Sequence, residues 1–264
     1  MMPGMDMGLR DRVCVVTGAS RGIGRALCEQ LVGEGARVLM VARNEDALSE
    51  AAERLGAEWM SIDVTDPDAA RRVICCAAEQ MGRVDVLVNN AGTSFAKEPD
   101  ELTDEDWQGQ WDLHVMASMR LMREAAPRMA ESGWGRIVNV TSSSGKRPSL
   151  TNVAYAVTKS AQLSLSRAWA DLWASKGVLV NAVAPGAVAT ELWTGPGGLG
   201  EQAAQAKGIS REEALQAQAE KIPLGRLAEP HEIASVCLFL CSELASTVTG
   251  AAWSADGGTV ATIV

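Results

Sequence analysis

Basic residues, long apolar runs and metal-binding patterns are scarce in this sequence, and each absence excludes a class of protein. The 264 residues include 24 basic and 33 acidic side chains, and the net charge of −9 argues against a nucleic-acid binder. No apolar run reaches the roughly 18 residues of a transmembrane helix, and the N-terminal MMPGMDMGLRDR lacks the apolar stretch of a signal peptide. The six cysteines show no C-x-x-C spacing and histidines number two, so we predict reduced thiols, no metal site and a cytoplasmic location.

Short apolar runs alternate with amphipathic segments along the chain. Predicted strands cover 13–17, 36–41, 58–62, 86–89, 136–141, 178–184 and 252–255, and predicted helices cover 25–32, 45–55, 66–81, 104–132, 153–175, 210–221 and 231–241. Strands alternating with helices are typical of an α/β protein with a parallel sheet and helices on both faces. No linker, repeat or charge block divides the sequence, so we expect one domain over residues 1–264. The long helix is expected to bend near Pro127.

A glycine-rich turn follows the first predicted strand. Gly18, Gly22 and Gly24 have the spacing G-x-x-x-G-x-G and lead into an amphipathic helix. Glycines at this place let the backbone approach a pyrophosphate, which the positive end of the helix attracts. The alternative is a tight turn without a ligand. The sequence therefore predicts a Rossmann-type, doubly wound parallel sheet with a dinucleotide site.

The end of the second predicted strand bears on the choice of cofactor. An acid there would bind the 2′-hydroxyl of NAD, but this chain has Ala42 followed by Arg43, and Arg21 can reach the same region. Two guanidiniums without a carboxylate suit a 2′-phosphate, so NADP(H) is predicted as the preferred cofactor, with NAD(H) as the alternative. Arg43 as a solvated residue at a helix start is the other interpretation.

A serine, a tyrosine and a lysine are placed to converge. Ser142 follows the predicted strand 136–141, and Tyr155 and Lys159 lie one helical turn apart on one face of the next helix. A free phenol has a pKa of about 10, and a nearby ammonium lowers it. Tyr155 would then exchange a proton with a carbonyl or alcohol oxygen that Ser142 positions, while a bound carrier supplies hydride. A tyrosine and a lysine on an exposed helix face are the alternative.

These pieces occur in an order that resembles the short-chain dehydrogenase/reductase family, over nearly the whole chain. TGASRGIG (17–24) is similar to the cofactor loop, NNAG (89–92) to a sheet-stabilising motif, and PGAVAT (185–190) to the segment that holds the nicotinamide carboxamide. Ser142 lies thirteen residues before Tyr155, which matches the family spacing better than Ser143 or Ser144 does. IPLGRLAEPHEIA and TGAAWSADGG resemble the C-terminal signature, often part of a tetramer interface, so the resemblance implies a homotetramer.

The resemblance and the positions after the strands together give a set of expected site residues. The expected cofactor contacts are Gly18, Ser20, Arg21, Gly22, Ile23, Gly24, Arg43, Asp63, Val64, Asn90, Ala91, Gly92, Tyr155, Lys159, Pro185, Gly186, Val188 and Thr190. The expected substrate contacts are Ser94, Ser142, Ser144, Asn152, Tyr155, Gly186 and Trp193. Residues 187–221 are expected to form a mobile lid, and Leu192, Trp193 and Leu199 hint at an apolar substrate, with simple packing of the lid as the alternative.

One position departs from the family pattern. The family carries an Asn seven residues after a Trp on the fourth helix, and counting from Trp107 gives His114 here. In the family, that Asn helps to hold a water that links the lysine to solvent. An imidazole has a reference pKa of about 6.5, so His114 could hold this relay water or pass the proton itself, with a catalytic role. The alternative is that a backbone carbonyl holds the water and His114 only fills space.

The predicted function is that of an NADP(H)-dependent oxidoreductase that interconverts a carbonyl and a secondary alcohol. The catalytic residues are Ser142, Tyr155 and Lys159, with His114, and the partner is a small carbonyl or alcohol substrate, with no membrane or nucleic acid. Within the family, an NAD-dependent alcohol dehydrogenase, a 3-oxoacyl-thioester reductase and a steroid- or terpenoid-type reductase stay open. A catalytically silent dinucleotide-binding protein is the alternative from another class.

Overall fold

The computed structural model describes residues 6–261, so the first five residues of the segment considered above for a leader lie outside it. Its seven strands are β1 (Val13–Thr17), β2 (Arg37–Ala42), β3 (Glu58–Ser61), β4 (Val86–Asn89), β5 (Gly135–Val140), β6 (Val178–Pro185) and β7 (Ala252–Ala255). Its helices are α1 (Gly22–Gly33), α2 (Glu45–Leu55), α3 (Ala69–Met81), α4 (Asp104–Trp111), α5 (Ala117–Glu131), α6 (Val153–Trp173), α7 (Glu191–Thr194), α8 (Leu199–Lys207), α9 (Arg211–Ala219) and α10 (Pro230–Cys241).

The strands form one sheet in the order β3-β2-β1-β4-β5-β6-β7, and every neighbouring pair is parallel. The order reverses direction between β1 and β4, where a doubly wound sheet opens a crevice at the carboxyl ends of its strands. The predicted α/β fold with a doubly wound parallel sheet is confirmed.

The sheet is buried on both faces. On one face, its side chains pack with α1, α2 and α10, around residues such as Leu27, Leu48 and Leu240. On the other face, they pack with α3, α5 and α6, around residues such as Ile74 and Met122. Because both faces are covered, the central strands are continuous apolar runs and not alternating ones.

The prediction of one continuous helix over 104–132 is wrong, because a π-helical turn interrupts it. The chain forms α4 and α5 with a π-helical turn, Asp112–Met116, between them, while Pro127 is accommodated within α5. A single π turn widens a helix locally and often occurs at functional sites. The irregularity therefore lies fifteen to eleven residues before the expected bend at Pro127, and it contains His114.

The segment after β6 contains more structure than the sequence predicted. Two short helices, α7 and α8, precede α9 within the glycine-rich stretch. Within residues 6–261, no helix combines the length and the apolar character needed to cross a lipid bilayer.

Candidate active site

Ser142 and Tyr155 are brought together where β5 gives way to α6. Ser142 begins a short 3-10 turn, Ser143–Gly145, and its Oγ accepts the Ser144 N–H at 3.1 Å. A Cβ on Gly145 would lie 2.9 Å from the Lys159 backbone, so a larger residue would push the turn away from α6. The close approach brings the Ser142 hydroxyl near enough to Tyr155 to lower the pKa of the phenol.

The pKa values of Tyr155 and Lys159 are both shifted, and the shift of Tyr155 is opposite to the one expected from the sequence. Burial raises the pKa of Tyr155, and the hydrogen bond with Ser142 only partly opposes it. Burial lowers the pKa of Lys159 to about 7. The expected lowering of the Tyr155 pKa by Lys159 is not met in this geometry. The reason is that Lys159 Nζ lies 5.7 Å from the ring centroid and donates to Val140 O and Gln162 Oε1.

His114 is completely buried between the loop after β4 and α6. Its Nδ1 lies 3.0 Å from Thr158 Oγ1, and that hydroxyl donates to the Tyr155 carbonyl at 2.8 Å. Since the hydroxyl proton is used there, Nδ1 must carry the imidazole proton and donate to Thr158. Nε2 is then the acceptor for the Thr93 N–H at 3.4 Å. Both ring nitrogens are engaged, so the imidazole is neutral and fixed, with its edge against the Tyr155 ring at 5.3 Å.

The pKa of His114 departs from the reference value of about 6.5 for an imidazole. Burial lowers the pKa of His114 well below its ordinary value, and the positive charge of Lys159 lowers it further. The Thr93 backbone opposes these effects without cancelling them. The contacts therefore favour the alternative in which His114 supports the site without transferring a proton. A catalytic role for His114 stays a prediction.

The glycine turn between β1 and α1 fits a dinucleotide phosphate. Arg21 precedes α1 without capping it through its side chain, and no acidic residue lies in the first turn, so the positive helix end is left for an anion. Gly18 has a φ of 64°, and a Cβ there would lie 2.9 Å from the Ala91 backbone. Gly24 is packed even more tightly, since its Cβ would lie 2.4 Å from Gly18 O. The backbone thus forms a cradle that side chains would fill.

Asn90 holds this cradle to the sheet. Its Nδ2 donates to Thr17 O at 2.8 Å and to Gly18 O at 3.1 Å, while Thr17 Oγ1 accepts the N–H groups of Asn90 and Ala91, each at 3.0 Å. Asn90 was predicted as a cofactor contact, but in the structure its side chain forms hydrogen bonds with the glycine turn. Thr17 was not predicted, although a threonine at the end of a strand before a glycine turn was visible in the sequence.

At the end of β2, Arg43 is solvent-exposed over 72% of its side chain and forms an ion pair with Asp63 at 3.5 Å. Burial alone would raise the pKa of Asp63, but hydrogen bonds from Thr65 and the charge of Arg43 outweigh it and lower the pKa. Val64, beside Asp63, is buried. Two predicted cofactor contacts therefore pair with each other here, so binding a 2′-phosphate requires Arg43 to exchange partners.

The segment after β6 lies against the glycine turn. Thr190 Cγ2 is 3.1 Å from the position of a Cβ on Gly22, which brings two predicted cofactor-binding segments together. Gly186 packs against the backbone of Asp256, where a Cβ added to the glycine would lie 3.0 Å from the Asp256 backbone atoms. Gly186 therefore has a packing reason to be glycine in addition to its predicted binding role.

The predicted substrate residues are only partly assembled. Asn152 Nδ2 lies 3.4 Å from Ser94 Oγ, and Ser144 adjoins Ser142. Trp193 lies in α7, where its carbonyl packs against Gly200. Leu199 is buried at the start of the next helix, α8, which supports packing of residues 187–221 as its role.

Gln202, which the sequence did not single out, ties α8 to the loop after β4. Gln202 Oε1 accepts the Ala96 N–H at 2.7 Å, and its Nε2 donates to Gly197 O at 2.7 Å. Lys97 N–H in turn donates to Thr151 O at 2.9 Å. Three segments around the cleft are thus joined by hydrogen bonds.

Comparisons with known proteins agree with this geometry. A family model described as Enoyl-(Acyl carrier protein) reductase matches residues 18–260. Galactitol 2-dehydrogenase (L-tagatose-forming) of Cereibacter sphaeroides is 37% identical over 94% of this chain and 95% of its own. The 3-oxoacyl-(acyl-carrier-protein) reductase of Thermotoga maritima is 36% identical over 96% of this chain and 100% of its own.

Among solved structures, L-sorbose reductase from Gluconobacter frateurii, complexed with NADPH and L-sorbose, superimposes with a TM-score of 0.92. It is 36% identical, over 98% of this chain and 100% of that one. The chain belongs to the short-chain dehydrogenase/reductase family, and it is an oxidoreductase of that family. The resemblance predicted from the motifs is confirmed.

Proposed function

We propose that this protein reduces a carbonyl to a secondary alcohol with NADPH, and catalyses the reverse reaction with NADP⁺. The observation that carries the proposal is the meeting of Ser142, Tyr155 and Lys159 beside an uncapped, glycine-lined helix N-terminus. The NADPH named for the L-sorbose reductase structure supports the choice of cofactor. Arg43 and Arg21 at the adenosine end support it independently.

Tyr155, Ser142 and Lys159 each have a separate role in the reduction. When bound, NADPH supplies the hydride that the carbonyl carbon accepts. Tyr155 donates its phenolic proton to the carbonyl oxygen, and Ser142 holds that oxygen by a hydrogen bond. Lys159 stabilises the phenolate that results, because an ammonium favours a nearby negative charge. The raised pKa of Tyr155 keeps the phenol protonated and ready to donate.

For the substrate class, we propose a small ketone that carries further hydroxyl groups. Asn152 Oδ1 is buried and has no hydrogen-bond partner within residues 6–261, and Ser94 lies beside it. An unpaired buried amide oxygen favours a ligand that donates a hydrogen bond. The names of the galactitol and L-sorbose enzymes point the same way.

A 3-oxoacyl thioester is the second candidate, favoured by the match to the Thermotoga maritima reductase over the full length of that enzyme. The two classes differ in what they need from the pocket. A thioester requires room for a long acyl chain, whereas a ketose requires hydrogen-bond partners for several hydroxyls.

A substrate panel tests the proposal. The protein is mixed with NADPH and with L-sorbose, L-tagatose, smaller hydroxyketones or acetoacetyl thioesters, and the absorbance of the reduced nicotinamide is followed. We expect turnover with at least one hydroxyketone and a higher kcat/KM than with the thioester. A preference for the thioester selects the second candidate, and no turnover with any ketone contradicts the proposal.

We also propose a cytoplasmic homotetramer whose substrate enters under a mobile lid at residues 187–221. Exposed apolar side chains on the outer helices, Trp111, Val157 and Leu172, support one two-fold interface. Trp253 of β7, stacked on Phe239, supports a second. Light scattering is expected to give four times the chain mass of 27.9 kDa. A stable species of one chain contradicts the tetramer.

A further inference from the structure

Beneath Tyr155, a buried chain of polar side chains holds Lys159. Lys159 Nζ donates to Val140 O at 2.9 Å and to Gln162 Oε1 at 3.0 Å. Gln162 Nε2 then donates to Ser118 Oγ on α5 at 2.9 Å. The exposed fractions are 3% for Lys159, 1% for Gln162 and 4% for Ser118, so water does not compete for these hydrogen bonds.

The orientation of the Gln162 amide follows from its two partners. An ammonium only donates hydrogen bonds, so the amide oxygen must face Lys159. The amide nitrogen then faces α5, where the Ser118 hydroxyl accepts from it. With both ends engaged, the amide cannot rotate without losing a buried hydrogen bond. The position of Lys159 Nζ is therefore set from α5 through Gln162.

Among residues 6–261, no negatively charged group compensates the charge of Lys159. The titratable groups that face it are Tyr155, on the same helix, and His114, from the π turn. The pKa of Tyr155 is raised and that of His114 is lowered, so both groups are neutral near pH 7. No carboxylate among the described residues influences the pKa of Lys159, whose depression to about 7 comes from burial. The carbonyl dipoles of Val140 and Gln162 therefore replace the water that the ammonium has lost.

We propose that Gln162 is a positioning residue of the active site, whose amide oxygen, fixed by Ser118, orients the Lys159 ammonium beneath Tyr155. The assignment rests on the proposed role of Lys159 in carbonyl reduction. Two of the three Lys159 N–H groups have acceptors within residues 6–261, which directs the third toward the cleft. Gln162 thus decides where that N–H points and how well the charged form is tolerated.

This role has a consequence for the charge of Lys159. A hydrogen bond to the charged form of a group favours that form, so the Gln162 oxygen opposes the effect of burial. Without it, the pKa of Lys159 falls further, and more of the enzyme carries a neutral amine at pH 7. A neutral amine stabilises the Tyr155 phenolate poorly, so reduction slows at a lower pH than in the parent.

The test measures Lys159 directly in the full-length protein. Lysine is labelled with ¹³C at Cε, the Lys159 signal is assigned by its loss in Lys159→Met, and the chemical shift is followed from acid to alkaline pH. In Gln162→Leu we expect the midpoint about one to two pH units below that of the parent, since hydrogen bonds to charged groups are strong. In Gln162→Glu, which keeps the shape, a carboxylate faces the ammonium and the midpoint rises.

Two further variants separate positioning from general loss of structure. Ser118→Ala frees the amide end of Gln162 and is expected to lower the midpoint by less than Gln162→Leu does. Asn181→Ala removes a buried amide that bonds only to backbone groups near β7, and is expected to leave the midpoint unchanged. Equal midpoints in the parent, Gln162→Leu and Gln162→Glu overturn the proposal. Because the readout needs no turnover, failure of the proposed reaction is seen separately, in the substrate panel.

Discussion

The charged side chains at the two ends of the cleft differ in their exposure to solvent. At the cofactor edge, formed by Arg43 and Asp63, the Arg43 side chain is 72% exposed and pairs with Asp63 in water. In the proton pocket, formed by His114, Ser142, Tyr155 and Lys159, His114 and Lys159 are buried and have fixed hydrogen-bond partners.

The difference explains which task each end can perform. Exposed ion pairs contribute little to stability and exchange partners readily, so the cofactor edge can release Asp63 and accept a phosphate. Buried groups have shifted pKa values because they have lost water. The proton pocket can therefore keep a phenol protonated and an ammonium close to its titration point. We expect substitutions to change rates and pH dependence in the pocket, and cofactor affinity at the edge.

The largest effect is expected from Tyr155→Phe. The substitution keeps the ring, and with it the edge contact with His114, but removes the transferable proton. Loss of general acid–base catalysis lowers rates by about 10² to 10⁴. The measurement is kcat for ketone reduction, with NADPH affinity and thermal unfolding as controls that should not change. A folded Phe variant that turns over like the parent removes Tyr155 from the mechanism.

A smaller effect is expected at the cofactor edge from Arg43→Ala. Hydrogen bonds to charged groups correspond to roughly ten- to a hundredfold in affinity, and exposure together with the competing Asp63 pair places this case at about tenfold. NADPH should bind more weakly while NADH is nearly unaffected, as measured by fluorescence titration. Arg54→Ala, in an exposed pair with Glu50 on α2, is the matched control. Equal losses for both nucleotides would show that Arg43 does not read the 2′-phosphate.

The smallest effect is expected on the pH–rate profile of His114→Asn. The parent should show one limb near pH 7 in kcat/KM for reduction, falling as Lys159 loses its charge with rising pH. The variant should keep that limb, because the pKa of His114 lies well below 6.5 and its neutral ring does not titrate there. The rate itself is expected to fall only a few-fold, through lost contacts with Thr93 and Thr158. A second limb in the parent that disappears in the Asn variant would restore His114 as a proton carrier.

The sequence predicted features formed by neighbouring residues better than features that depend on distant contacts. The limits of β1, α2, β4 and β7 agree with the structure, because apolar runs and flanking turn residues define them locally. The glycine turn and the Ser142–Tyr155 pair followed from motifs in the same way. Each of these features depends on residues close together in the chain.

The base of the cleft depends on contacts between distant residues. The π turn around His114 is stabilised by Thr93 and Thr158, which lie 21 and 44 residues away, so no local pattern could show it. Gln162 is a different case. It lies seven residues after Tyr155 and three after Lys159, on the same helical face, and this spacing was readable. Its partner Ser118 on α5 was not.

The central claim, hydride transfer to a carbonyl with Tyr155 as the acid, is tested most directly by isotope transfer. The protein is incubated with a reactive ketone and with NADPH that carries deuterium at the transferred position, and the product is analysed by mass spectrometry. We predict a secondary alcohol one mass unit heavier, with deuterium on the carbinol carbon, formed by the parent and strongly reduced with Tyr155→Phe. If NADPH binds but no ketone or thioester yields a labelled alcohol, the protein is a dinucleotide-binding protein without this activity.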